Sequence, residues 1–110
     1  MPETPPSASR EALRAFMPDL IQLTDELLFA DIWKRDDLQP RDRSLVTVTA
    51  LVALGHTEQL PNHLRRALNN GVTVEELKGL VTHLAFYSGW PTAMSAGLLL
   101  KEVVDAHAEG

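Results

Sequence analysis

The segment from Pro40 to Leu54 constrains the fold more than any other part of the chain. Read as a helix, it points Leu45, Val46, Val48, Leu51, Val52 and Leu54 in most directions around its axis. A helix that is apolar on all sides must be covered on more than one of them. The chain has 110 residues, enough for one core of modest size. Two arrangements meet the demand: a central helix wrapped by its own chain, or a helix partly covered by a second subunit. Either way the architecture is helix on helix, and no segment shows the two-residue alternation of a strand.

The flanking segments agree. A helix is expected over about Pro18 to Lys34, where Phe16, Leu20, Leu23 and Leu27 form one apolar stripe and Pro18 suits an opening position. "KRDDLQPRDR" is a polar connection. A third helix is expected from near Glu58 to Asn70, stopped by Gly71. Thr73 and Glu76 have the spacing of a capping box and open a fourth helix carrying Leu77, Leu80, Val81 and Leu84. "YSGWP" ends it at Gly89, and Pro91 begins a fifth helix whose Ala93, Ala96 and Gly97 permit close packing. The fold class is all-α, a compact bundle of five to six helices. Residues 1–12 read as a disordered leader and 13–110 as a single domain.

Composition excludes several function classes. With a formal charge of −5 and no basic run longer than two residues, the chain offers no nucleic-acid groove and no surface for an anionic membrane. It has no cysteine, so disulfides, thiol nucleophiles and dithiol redox chemistry are out, and a cytoplasmic location is expected. The longest apolar run, Leu45 to Gly55, is too short to cross a bilayer.

Polar chemistry gathers in one place. Between two apolar helices stand His56, Thr57, Glu58, Gln59, Pro61 and His63. His56 and His63 are seven residues apart, a mismatch of about 20° on a continuous helix. Glu58 and Gln59 fall in a first turn, where unbonded N–H groups favour anions. Pro61 also belongs in a first turn, so either the helix starts near Leu60 or it is kinked there. His63 is a candidate site residue; a core histidine bonded to a backbone carbonyl explains the same position. A metal held by His56, Glu58 and His63 matches no ligand spacing, and no metal is expected.

The segment "RDRSLVTVTALVALGHTEQLPNHLRRALNNGVTVEELKGLVTHLAFYSGWPTAMSAGLLLKEV" resembles the carboxymuconolactone decarboxylase family of the alkylhydroperoxidase-D-like superfamily. The likeness runs from Pro18 to Val103. Its most specific pieces are Arg43 with "LVT", the "L..H...AL.NG" pattern around His63, and "YSGWP". Redox members carry Cys-x-x-Cys-x-x-x-His. With His63 on that histidine, the cysteine positions fall on His56 and Gln59, and an assisting acid falls at about Ser44. Thiol peroxidase activity is therefore disfavoured.

The resemblance implies cofactor-free decarboxylation of 4-carboxymuconolactone, or a similar carboxylated lactone, in aromatic catabolism. It implies a homotrimer or homohexamer. In that chemistry His63 would be the proton donor, its pKa ordinarily near working pH. Glu58 would orient it and His56 would donate to the lactone oxygen. Arg43 and Gln59 would bind substrate, although Arg43 equally suits an ion pair with Asp37 or Asp42. Tyr87 and Trp90 would wall the pocket, or serve as aromatics at a helix corner. The alternative function is a non-catalytic ligand-binding or assembly member of the same family.

Overall fold

The computed structural model describes residues 7–109, and among them every regular element is helical. Six α-helices run in order: α1 (Ala8–Leu13), α2 (Pro18–Leu23), α3 (Pro40–Leu54), α4 (Leu60–Asn69), α5 (Val74–Ser88) and α6 (Trp90–Glu109). Between α2 and α3 the chain forms a π-helical stretch, Thr24–Phe29, and a 3-10 turn, Ile32–Lys34.

Helices α3 to α6 build the core. Val48 and Val52 from α3 meet Leu60, Leu64 and Ala67 from α4, Leu77, Val81 and Leu84 from α5, and Ala93, Ala96, Leu100 and Val103 from α6. The repeats of three and four residues in each set mark one buried stripe per helix. Small Ala93 and Ala96 let α6 lie close to its neighbours, as expected. Ser44, the one buried polar residue of α3, accepts a 3.0 Å bond from Asn70 Nδ2, which ties the end of α4 to α3.

Helix ends follow local chemistry. Pro40 and Pro61 occupy first-turn positions, where the missing N–H costs nothing. At the start of α5 the capping box is complete: Glu76 N–H donates to Thr73 Oγ1 at 3.1 Å, and Thr73 N–H donates to Glu76 Oε1 at 2.9 Å. Glu76 also pairs with Arg41 of α3, and these bonds hold its carboxyl below the usual range. Gly71 (φ 95°) ends the turn after α4, and Gly89 (φ 104°) turns α5 into α6; a side chain is disfavoured in both conformations.

Two features differ from expectation. The helix expected over Pro18 to Lys34 is broken into α2, the π stretch and the 3-10 turn. Thr24 Oγ1 donates to Leu20 O at 2.8 Å, and Ala30 N–H reaches five residues back to Asp25 O. The expected stripe also faces outward. Phe16, Leu20, Leu23 and Leu27 are exposed, and Ile21, 4% exposed, is the buried residue of α2. Within the stretch read as a leader, residues 8–12 stand in α1, capped by Ser7 Oγ accepting from Arg10 N–H at 3.1 Å. Residues 1–6 of that stretch lie outside the described residues.

Helix α3 has the expected bounds, yet its own chain does not wrap it fully: Val46 and Leu54 remain exposed. Among the described residues no helix is long and apolar enough to cross a membrane.

Candidate active site

Residues 57–59 form a separate turn and α4 begins at Leu60, so the helix starts at its proline rather than kinking around it. Leu60, Leu64 and Ala67 take the core-facing stripe. Asn62 and His63 are rotated off that stripe, toward the segment preceding α3. A cleft of about 230 Å³ lies there, between the N-terminal elements and the entry of α4. Leu20, Ile21, Leu28 and Phe29 supply its apolar wall; Arg10, Glu58, Gln59, Asn62 and His63 supply its polar groups. Leu28 and Phe29 of this wall come from the π stretch.

His63 is half-buried, and its ring stacks on Trp33 with centroids 6.1 Å apart and planes 25° from parallel. Trp33 stacks in turn on Phe29 at the same separation. The Arg66 guanidinium lies over both aromatics, 4.4 Å from the Phe29 centroid and 5.4 Å from that of Trp33. His63 Nδ1 is buried and has no hydrogen-bond partner among the described residues. The bond to a backbone carbonyl that would mark a purely structural histidine is therefore not made at this nitrogen. Burial, and secondarily the Arg66 charge, push the His63 pKa down to about 4. The expectation of a pKa near working pH is corrected: the resting imidazole is neutral at pH 7.

The structure brings Glu58, Gln59 and His63 to one cleft, with Glu58 and Gln59 at its exposed rim. It does not bring the other candidates there. His56 is exposed, its backbone closing the end of α3 by donating to Leu51 O at 2.9 Å, and its side chain does not line the cleft. The Arg43 side chain, 11% exposed, pairs with Asp37 and donates to Arg35 O at 3.2 Å, so it takes the ion-pair alternative at the start of α3. Tyr87 and Trp90, 78% and 58% exposed, wall no part of the cleft. Tyr87 packs on His83 and Trp90 on Phe86, on an open face. Among the described residues no three His, Asp or Glu side chains are grouped to hold a metal ion.

Residues 18–102 match the model of the carboxymuconolactone decarboxylase family, most of the chain. The chain belongs to that family. The 4-carboxymuconolactone decarboxylase of Acinetobacter baylyi is 39% identical over 95 residues, which are 86% of this chain and 71% of that protein. The nitrosuccinic acid decarboxylase npaB of Metarhizium robertsii is 31% identical over 84 residues, 76% of this chain and 59% of that protein. Both relatives of this family member are thus named for removing a carboxyl group.

Sequence reasoning missed Arg10, Phe29, Trp33 and Arg66 as neighbours of His63. For Arg10 a signal was present: Ser7 followed by "ASREAL" has the form of a capped helix start. For Phe29 and Trp33 there was none, because their approach to α4 depends on the π stretch.

Proposed function

We propose that the cleft holding His63 is the active site of a cofactor-free carboxy-lyase acting on 4-carboxymuconolactone or a similar carboxylated lactone. The carrying observation is the His63 imidazole: half-buried, unpartnered at Nδ1 among the described residues, and set in the wall of a cleft sized for a small organic acid. The named relatives support decarboxylation in general.

The reaction needs no external electron acceptor. The C–C bond to the carboxylate breaks, CO₂ leaves, and the electron pair moves through the conjugated ring onto the lactone carbonyl oxygen. The resulting dienolate takes one proton at carbon, supplied by His63. A resting imidazole with a depressed pKa can serve this role, because an anion entering the cleft favours its protonated form. Glu58, at the rim, assists the same proton. Gln59 and Asn62 are positioned to bond polar groups of the ligand. Ile21 and Phe29 give the cleft an apolar floor beside these polar groups. Arg43 has no part in this scheme, since it does not line the cleft and pairs with Asp37 at the start of α3.

We assign the open face bearing Phe86, Tyr87, Trp90, Met94 and Leu98 to assembly with further copies of the chain, as a homotrimer or homohexamer. Support comes from the exposure of all five large apolar side chains.

The test is to mix the purified protein with 4-carboxymuconolactone and follow ultraviolet absorbance. Turnover well above the spontaneous rate is expected; a folded protein that leaves the rate unchanged would end the assignment.

A further inference from the structure

Arg10 reaches the His63 cleft from α1 and lies among its lining residues. Its guanidinium stands over the Phe29 ring, 4.6 Å from the centroid, and its side chain is 13% exposed. Nε is buried without a hydrogen-bond partner among the described residues. Asp25 Oδ1 forms an ion pair with that nitrogen at 3.8 Å, too far for a hydrogen bond, while Asp25 Oδ2 takes a 2.7 Å bond from Arg14. Among the described residues that line the cleft, Arg10 is the one permanent cation. Arg10 therefore has only a long ion pair with Asp25, whose carboxylate it shares with Arg14, and its guanidinium keeps hydrogen-bonding capacity for an anion in the cleft.

Which carboxylate it would hold follows from the chemistry of decarboxylation. The departing group loses its charge in the transition state, so a cation on it would stabilise the substrate more than the transition state and slow the reaction. A cation helps when it grips a carboxylate that stays. The departing group then belongs against the less exposed Ile21 and Phe29, which offer its charge no polar partner. The two substrates named for the relatives have this pattern: 4-carboxymuconolactone and nitrosuccinic acid each carry two carboxylates, one of them on the carbon beside an electron-accepting group. Their acceptors differ, a lactone in one and a nitro group in the other. The second carboxylate is common to both.

We propose that Arg10 is the anchor for the retained carboxylate, so that the cleft takes dicarboxylates that lose the carboxylate adjacent to an electron-accepting group; this rests on the decarboxylase reading above. Arg10 transfers no proton and accepts no electrons. It fixes the substrate so that the departing carboxylate faces the apolar wall and the carbon to be protonated faces His63.

The experiment compares the wild-type protein with Arg10→Gln and Arg10→Lys on two probes. One is 4-carboxymuconolactone; the other is its analogue with the carboxymethyl group converted to a carboxamide, which keeps the departing carboxylate. For the dicarboxylate, Arg10→Gln should raise KM by about 10- to 100-fold, with kcat changed far less, the loss expected for one charged hydrogen-bonding partner. Arg10→Lys should recover part of it. On the carboxamide, wild type and Arg10→Gln should have the same KM. An unchanged KM for the dicarboxylate overturns the proposal, and so does an equal loss on both probes, which would assign Arg10 to packing on Phe29. A wild-type protein that turns over neither probe defeats the decarboxylase reading itself, a result distinct from either.

Discussion

At the scale of the residue, His63 carries the account. Packed against Trp33 and beside Arg66, it is held neutral at a pH where a free histidine would be partly charged. That environment has a consequence for stability. The folded-state pKa, about 4, lies below the ordinary 6.5, so the unfolded chain binds the proton first as pH falls. The stability tied to neutral His63 is present above pH 6.5 and is lost between there and pH 4. Replacing His63 by Phe, which keeps a ring beside Trp33, should flatten the decline in melting temperature across this window; a variant that declines as steeply as the parent would contradict the assignment. The position of His63 was legible in the sequence, as a polar residue among apolar helical neighbours. Its depressed pKa was not, because Arg66 and the cover from Phe29 and Trp33 are products of tertiary packing. For the same reason Arg43 looked like an anchor: sequence spacing shows a cation at a helix start but not that Asp37 has already claimed it.

At the scale of the element, the four helices from α3 to α6 were readable because their signals are local. Prolines open α3 and α4, glycines close the turns after α4 and α5, and the Thr73 box opens α5. The box is the clearest test of that local logic. Thr73→Ala removes the hydroxyl that accepts from Glu76 N–H and should cost about 1 kcal/mol of unfolding free energy, with Thr73→Ser recovering most of it. Urea denaturation of the three proteins measures this; a Thr73→Ala variant as stable as wild type would show the cap to be dispensable. The segment before α3 was misread because its apolar period continues through Thr24 while the backbone does not. A five-residue step at Ala30 replaces the regular ladder there, and Leu20, Leu23 and Leu27 face outward. No pattern of residue types announces such a step, and Leu28 and Phe29 of the cleft come from the stretch that contains it.

At the scale of the whole molecule, the cleft depends on two parts that contribute differently. The bundle supplies a rigid edge through α4, and the N-terminal elements supply Arg10 and the apolar wall. On another face, five large apolar side chains at the α5–α6 junction and along α6 stay exposed. Assembly of several copies through this face predicts a solution mass of three or six chains by light scattering. Phe86→Glu combined with Met94→Glu should reduce it; a wild-type monomer at micromolar concentration would refute the assembly. The family was legible in the sequence, but the inner surroundings of His63 required the fold.

The central claim is that His63 returns the proton after CO₂ has left. Its most direct test is kcat for 4-carboxymuconolactone in wild type and in His63→Ala, with circular dichroism showing both folded. The account predicts a fall of about 10²- to 10⁴-fold in the variant. Wild-type turnover that survives intact in folded His63→Ala would contradict it.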